Sequence, residues 1–444
     1  MNRGTLPLSA VGWPKAPIGG RPKSVIPEMT AQTRHSASTD QLRICLCVSL
    51  FRPAIGGAER QAEQLARALT ARGHRVTVVT QRLPGTLPQE ELDGVRVVRA
   101  IRTLKRGPLY GLTYVLSLTW YLLRHRRSFD LIQATYLYLD AFAAVALRPL
   151  HGRPVILRPA CGGVYGDLAR LPTHRFWPLW PRLDRPVHAL LLRTFRRADA
   201  VVALGGELAQ ELRAAGFPVT RIIRIPNGVD HRRFAPADAT IRRARQAALG
   251  LTGSVLTFVG RLHEQKNLPI LLRATAELRG AWPGLHLLLV GEGPERESLC
   301  RLVAELGLQD HVTFTGSSAD VAPFLCATDV FVHPSRAEGM PGALLEAMAA
   351  GLACVATRIG GTVDVITDGV DGILVEPGDV GGMVAAIARL LGDPALRGRL
   401  AAAARQTVET RFTIEEVASR YATLYGRLLE AWRSPRNRGA EAWD

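Results

Sequence analysis

What this 444-residue chain lacks narrows it first. Its six cysteines, at 45, 47, 161, 300, 326 and 354, form no CxxC pair and no Cys/His cluster at zinc spacing. Most lie inside apolar runs, as reduced core cysteines of a cytosolic protein do. No segment reaches the roughly 18–20 apolar residues of a membrane span. Residues 1–40 hold no signal-type apolar core; rich in Pro, Gly and Ser, they are expected to be a disordered extension, with Met29 an alternative start. No tandem repeat appears at a period of about 20–50 residues. Aromatics are 6% and apolar residues 47% of the chain, the values of an ordinary soluble protein.

Such a length is too great for one compact core and predicts two domains. Their charges differ. Residues 1–240 carry 35 Lys/Arg against 16 Asp/Glu, a net +19, while residues 241–444 carry 21 against 23, a net −2. The basic half is suited to something anionic: a bilayer of acidic lipids, a phosphorylated carrier or nucleic acid. Nucleic acid fits poorly, because no aromatic-interleaved motif accompanies the arginines. A compositional bias toward Arg, which supplies 52 of the 56 cations, also explains part of the excess. The longest apolar stretch, "LYGLTYVLSLTWYLL" at 109–123, is followed by "RHRR". It has the length of an interfacial helix with a basic flank, or of a buried helix with a solvated end.

Short apolar runs recur: 42–50, 75–80, 95–100, 129–135, 153–160 and 198–205, separated by helical stretches. After the turn-rich joint "IPNGVDHRRFAP" the pattern restarts with runs at 254–262, 285–291, 312–316, 330–334, 352–357 and 372–376. This alternation predicts two doubly wound α/β domains, with their strand ends facing across a cleft. The boundaries are 41–226 and 227–411, followed by a closing amphipathic helix at 412–434 and a polar tail at 435–444.

The loops at those strand ends carry the chemistry. Gly56 and Gly57 directly precede a helix, where backbone can approach an anion; a glycine turn that tightens a βα connection reads equally well. In "GRLHEQKN", Arg261 and Lys266 flank the next helix start and suit a diphosphate, or else an exposed cationic loop. "VGEGPERESL" has only GxG and argues against an ordinary dinucleotide site. In "EGMPGALLEAMAAG", Glu346 is a lone acid in a helix apolar on every face, so it needs a partner side chain or a ligand. A pair of sugar hydroxyls would answer it. Glu338 sits eight residues earlier, in a loop with Gly339, Pro341 and Gly342 that exposes backbone N–H groups.

These motifs, "GGAER", "IPNGVD", "GRLHEQKN" and "EGMPGALLEAMAAG", resemble those of glycosyltransferase family 4 in order and spacing, over about 42–425. The resemblance implies a GT-B fold with a retaining, metal-free mechanism and no cofactor beyond the nucleotide-diphosphate-sugar co-substrate. It implies that Arg261 and Lys266 hold the donor diphosphate, and that Glu346 holds the ribose. Glu338, with Gly339, Met340, Pro341 and Gly342, would hold the transferred sugar. Gly56 and Gly57 would face the phosphate, and Gly260 and Gly316 would complete the donor site. Catalysis would rest on Arg261, Lys266 and Glu338.

Two departures stand out. Many members carry histidines where "DLIQATY" has Gln133 and Thr135, and a histidine-glycine pair where this chain has "RPACGGVYGD". Arg158 with Gly162 and Gly163 is expected to form the acceptor side instead. The familiar "EGFG" is "EGMP", so Met340 packs either on the sugar or in the core. The expected activity is a hexosyltransferase acting on a saccharide or polyprenyl-linked acceptor in cell-surface polysaccharide or glycolipid synthesis. It would be cytoplasmic, with attachment to an anionic membrane surface at the inner face. A non-catalytic nucleotide-sugar-binding protein is the alternative, but the retained Lys266 and Glu346 speak against it. An epimerase or phosphorylase of the same fold is a third reading, disfavoured by the "IPNGVD" joint and by the lack of a lysine placed for pyridoxal phosphate.

Overall fold

The strand–helix alternation reappears in the structure, a computed structural model, which describes residues 41–53, 56–104, 108–169, 171 and 184–434. The expected extension 1–40 and tail 435–444 lie outside the described residues.

The first sheet has eight strands: β1 Arg43–Cys47, β2 Arg75–Gln81, β3 Gln89–Leu92, β4 Val95–Ile101, β5 Leu131–Thr135, β6 Val155–Arg158, β7 Ala200–Ala203 and β8 Ile222–Arg224. Their order is β3-β4-β2-β1-β5-β6-β7-β8, and every neighbouring pair is parallel except β3 with β4. The second sheet holds β9 Val255–Val259, β10 His286–Val290, β11 Val312–Gly316, β12 Val330–His333, β13 Ala353–Thr357 and β14 Ile373–Val375, in the order β11-β10-β9-β12-β13-β14, all parallel. The central strands are covered on both faces, which is why β1, β5, β9 and β13 read as unbroken buried runs. Strand order reverses between β1 and β5 and between β9 and β12, so a crevice opens at those carboxyl ends.

Two strands escape the sequence reading. β3 is "QEEL", too charged to register as a strand, and is folded onto β4 by Asp93 and Gly94, both at positive φ (53° and 77°). That Asp-Gly pair is a hairpin signal available from sequence. β8 is three residues long and abuts the joint.

The joint itself is tightly specified. Asn227 donates through Nδ2 to the Met340 carbonyl (2.8 Å) and through its backbone N–H to the Met340 sulfur (3.2 Å), while its Oδ1 accepts from Arg158 Nη2 (2.6 Å). Gly228 exchanges two bonds with the Gln61 amide. A Cβ there would lie 2.9 Å from the Ile414 backbone, so only glycine fits. Ile414 belongs to the return crossing: Val229 donates to Phe412 O (2.9 Å) and accepts from Ile414 N (3.0 Å).

The closing helix Ile414–Arg433 thus comes back onto the first domain. Thr413 caps it, accepting from Glu416 N, and its apolar face packs Val417, Tyr421, Leu424 and Tyr425 with Ile44, Leu46 and Leu65. Tyr425 Oη donates to Gln133 Oε1 at 2.7 Å, both side chains being buried. Tyr425→Phe should strip Gln133 of its donor and lower stability by about 1–3 kcal/mol. Adding Gln133→Leu in the same chain should recover part of that loss, as thermal denaturation of the single and double variants would show.

Candidate active site

The cleft lies between the first-domain loop leading into the helix Gly57–Ala71 and the second-domain loops after β9 and β12. Gly57 is exposed, and a Cβ added there would meet nothing within 4 Å, so no internal packing demands glycine at this helix start. Gly56 differs: its added Cβ would sit 2.1 Å from Glu59 Oε2. On the same wall Tyr136, at the unusual φ of 72°, follows β5 and donates its hydroxyl to Glu59 Oε1 (2.8 Å). Gln133 and Thr135, the departures noted in "DLIQATY", are buried, and the Gln133 amide is directed to Tyr425 rather than to the cleft.

Opposite, β9 runs into Gly260 and Arg261. Arg261 is exposed and makes no hydrogen bond or ion pair with a described residue. Lys266 ends the short turn Glu264–Lys266, where Asn267, at φ 51°, starts the helix Leu268–Leu278. Its ammonium pairs with Glu338 Oε1. His333, 1% exposed at the end of β12, brings Nε2 to 3.0 Å of the same oxygen. Burial alone would raise the Glu338 carboxyl, but the Lys266 charge and the His333 bond outweigh it and hold the group well below the usual carboxylate range. Burial holds His333 down, so Nε2 carries its proton toward Glu338, and Nδ1 is left without a partner. Gln265 secures this loop by donating to Ala337 O (2.7 Å) and accepting from Arg336 N (2.8 Å).

Glu346 lies in the helix Gly342–Ala349 and is 5% exposed. Its nearest cation is Arg60, from the first-domain helix, with Nη1 3.5 Å from Oε1. Arg60 also reaches Ala319 O (3.4 Å), so it spans the cleft. This long contact compensates the acid incompletely: burial raises the Glu346 carboxyl, against the pull of Arg60 and Arg233. Beside Arg60 a cleft of about 840 Å³ is lined by Glu59, Arg99, Arg233 and Asp320 among others, without reaching Lys266 or Glu338. The start of the Gly342 helix meets the first-domain helix, since a Cβ at Gly342 would be 3.6 Å from Gln61 Nε2. An anion at either helix start would meet unpaired N–H groups and the helix dipole. Gly316, at φ 79°, lies at the end of β11 near Glu292.

Several expected positions differ. Arg158, assigned to the acceptor side, is 5% exposed and bonded to Asn227 at the joint, because the joint needs a donor there. Gly162 and Gly163 face Glu211, with Gly163 N donating to its Oε1 (2.5 Å). Gly339 is buried where a Cβ would be 2.3 Å from Ala160 O, so it serves close packing between domains rather than an open backbone. Met340, 6% exposed, sits against Asn227 in the core of the joint. Arg60, Gln61, Asn227 and His333 were missed as residues with roles. Arg60 and Asn227 lie inside motifs already singled out and Gln61 directly follows one; His333 was visible only as a lone polar residue in an apolar strand.

The comparisons with known proteins agree with this architecture. The model described as Glycosyltransferase Family 4 matches residues 55–233, and that described as Glycosyl transferases group 1 matches 253–393. The 2-deoxystreptamine glucosyltransferase of Streptomyces kanamyceticus is 30% identical over 393 residues, spanning 83% of this chain and 98% of that protein. The N-acetyl-alpha-D-glucosaminyl L-malate synthase of Bacillus anthracis is 26% identical over 381 residues, spanning 85% and 95%. Among solved structures, sucrose-phosphate synthase from Thermosynechococcus elongatus superposes with a TM-score of 0.73 at 26% identity, covering 87% of this chain and 99% of that one. Anabaena HepE in complex with UDP-glucose gives 0.72 at 22%, covering 87% and 100%, a likeness of fold. Family models over both halves and a 30% identical relative spanned almost end to end show the class to be sugar-transferring enzymes. The chain belongs to the GT-B glycosyltransferases.

The pairing of Lys266 with Glu338 changes what a substitution should do. Lys266→Ala leaves a buried carboxylate with one neutral partner, which typically costs about 3–5 kcal/mol, so the empty protein should melt lower. Arg261→Ala should leave the melting temperature unchanged. Because the folded Glu338 pKa is depressed, its stabilisation is present above the ordinary carboxylate range and is lost as pH falls toward the folded value. Melting curves between neutral and acid pH should therefore show a shallower acid dependence for Lys266→Ala than for wild type.

Proposed function

We propose that this glycosyltransferase moves a hexose, with retention of configuration, from a nucleoside-diphosphate-sugar to a saccharide or polyprenyl-linked acceptor. The setting is cell-surface polysaccharide or glycolipid synthesis, at a cytoplasmic location with peripheral attachment at the inner face of the membrane. The observation that carries the donor assignment is Glu346: a buried carboxylate whose one ion pair with a described residue is long, to Arg60 at 3.5 Å on the opposite domain. Ribose hydroxyls would supply the charge-assisted bonds it lacks. Relatives point the same way, including a lipopolysaccharide core biosynthesis glycosyltransferase of Rhizobium meliloti, 34% identical over 265 residues.

The donor diphosphate then lies against Arg261, Lys266 and the two helix starts. Lys266 exchanges Glu338 for the β-phosphate, and Glu338, still bonded to His333, turns to the hydroxyls of the transferred sugar. Rate acceleration comes from charge stabilisation on the leaving phosphate and from positioning. That phosphate takes the acceptor proton, so the reaction asks for no protein nucleophile, and Arg261 and Lys266 do the work of a metal.

Two measurements test this. Arg261→Ala and Lys266→Ala should each lower turnover by about 10²–10³-fold; normal turnover in either removes it from the diphosphate site. Glu346 has a folded pKa above its unfolded one, so it adds stability only at acid pH and costs stability once pH rises through the folded value. Glu346→Gln removes that cost, so the empty protein at neutral pH should melt no lower than wild type. Nucleoside-diphosphate affinity should fall by roughly 1.5–3 kcal/mol. Lower melting with normal affinity would make Glu346 a structural residue.

A further inference from the structure

The helix Pro108–Arg124 presents two unlike faces. Tyr114, Leu118, Tyr121 and Leu122 are buried and pack the helix against its neighbour Leu139–Ala146 and against β4. On the other side Leu109, Leu112, Leu116 and Trp120 are each more than half exposed. At 3.6 residues per turn these four positions fall within an arc of about 80° and a length of about 16 Å. They form one continuous apolar stripe that no described element covers. Leu104 widens it: its backbone N–H donates to Thr113 Oγ1, and its own side chain is 56% exposed. Isolated exposed leucines are ordinary, but a stripe of five large apolar side chains is a contact surface.

The rim of the stripe carries one sign of charge. Arg102 runs alongside the helix, its N–H bonded to Ser117 Oγ. Arg124 ends the helix, and Arg127 follows in the next turn. None of these three guanidinium groups makes an ion pair with a described residue, and all three residues are exposed. No described helix is long and apolar enough to cross a membrane. Apolar stripe, terminal tryptophan and basic rim are the features of a helix that lies in the plane of a lipid surface. A second copy of the chain fits less well, since it would bring together two halves that each carry +19.

We propose that this face docks the enzyme on an anionic bilayer, with the helix flat on the lipid and Arg102, Arg124 and Arg127 among the headgroup phosphates. This names the surface for the peripheral attachment proposed above and makes no use of the donor site. The helix begins at the cleft end of its domain: Tyr110, in its first turn, reaches Gln81 at the carboxyl end of β2 (3.4 Å). A docked enzyme would therefore hold its cleft rim near the headgroups, where a lipid-linked acceptor emerges.

The test is co-sedimentation of the full chain with vesicles of phosphatidylcholine alone and of phosphatidylcholine mixed with phosphatidylglycerol. Wild type should pellet with the mixed vesicles, and less so as salt rises. The triple variant Leu112→Ser, Leu116→Ser, Trp120→Ser should bind them at least about 100-fold more weakly while keeping its melting temperature and its nucleoside-diphosphate affinity. Arg124→Glu with Arg127→Glu should weaken binding to mixed vesicles and leave the weak binding to neutral ones unchanged. No binding to mixed vesicles, equal binding to both kinds, or undiminished binding by the triple variant each overturns the proposal. So does a triple variant that elutes as a smaller species but still binds vesicles as wild type does, which would make the stripe an interface between copies. Loss of nucleotide affinity in wild type would refute the donor assignment and leave the docking result standing.

Discussion

The arrangement of this protein depends on one buried cluster, the hydrogen bonds around Asn227 and Gly228. A cleft enzyme must hold two sheets at a fixed spacing while leaving the space between them open. Here the chain crosses between domains at a point where the polar groups of two successive residues are answered: Asn227 by Met340 and Arg158, Gly228 by Gln61. The partners come from both domains, so the cluster joins β6, the first-domain helix and the Glu338 loop. Buried polar groups paired in this way favour one geometry, because moving the crossing would strand the donors and acceptors now paired. Arg158 and Met340, which looked like candidates for contacting substrate, are used here instead.

A second contact sets the far side of the cleft. Asp364 accepts from Gly206 N (2.8 Å) at the start of the helix Gly206–Ala214 and from Arg224 (3.1 Å). The segment before it presses on the Glu338 loop, since a Cβ at Gly361 would be 2.6 Å from Glu338 O. The loop carrying Glu338 is therefore held by both domains, and its carboxylate is positioned by the same contacts that set the closure of the molecule. That explains why so many glycines cluster there: they admit backbone against backbone.

How much of this could be read in the sequence follows from what leaves a local pattern. The two doubly wound domains were legible because buried parallel strands are apolar throughout and each is followed by a helix. Gly57, Arg261, Lys266 and Glu346 stood out as candidates because a lone charge or a glycine before a helix is conspicuous in such surroundings. What was not legible depends on distant partners. Nothing near Glu338 announces that Lys266, 72 residues earlier, already neutralises it. Nothing near Gln133 points to Tyr425, 292 residues away. The long apolar stretch at 109–123 left interfacial and buried readings open. The helix is buried on one face and bare on the other, a distinction that only the packing of the neighbouring helix makes.

The two acids of "EGMPGALLEAMAAG" are eight residues apart and both largely buried, yet their environments push them in opposite directions. Glu338 has a cation and a histidine proton against one oxygen, and is held ionised. Glu346 has one arginine at 3.5 Å and is pushed toward the neutral form. Two acids buried only for the fold would be expected to be compensated alike. The asymmetry fits the proposed donor site, in which one carboxylate is kept charged by its pair and the other is short of partners that hydroxyl groups could supply. Arg60 ties this second acid to the facing domain, so a ligand that satisfies Glu346 also acts on the contact that spans the cleft. Under the proposed donor assignment, ligand affinity and the contact between the two domains would be coupled through this one carboxylate.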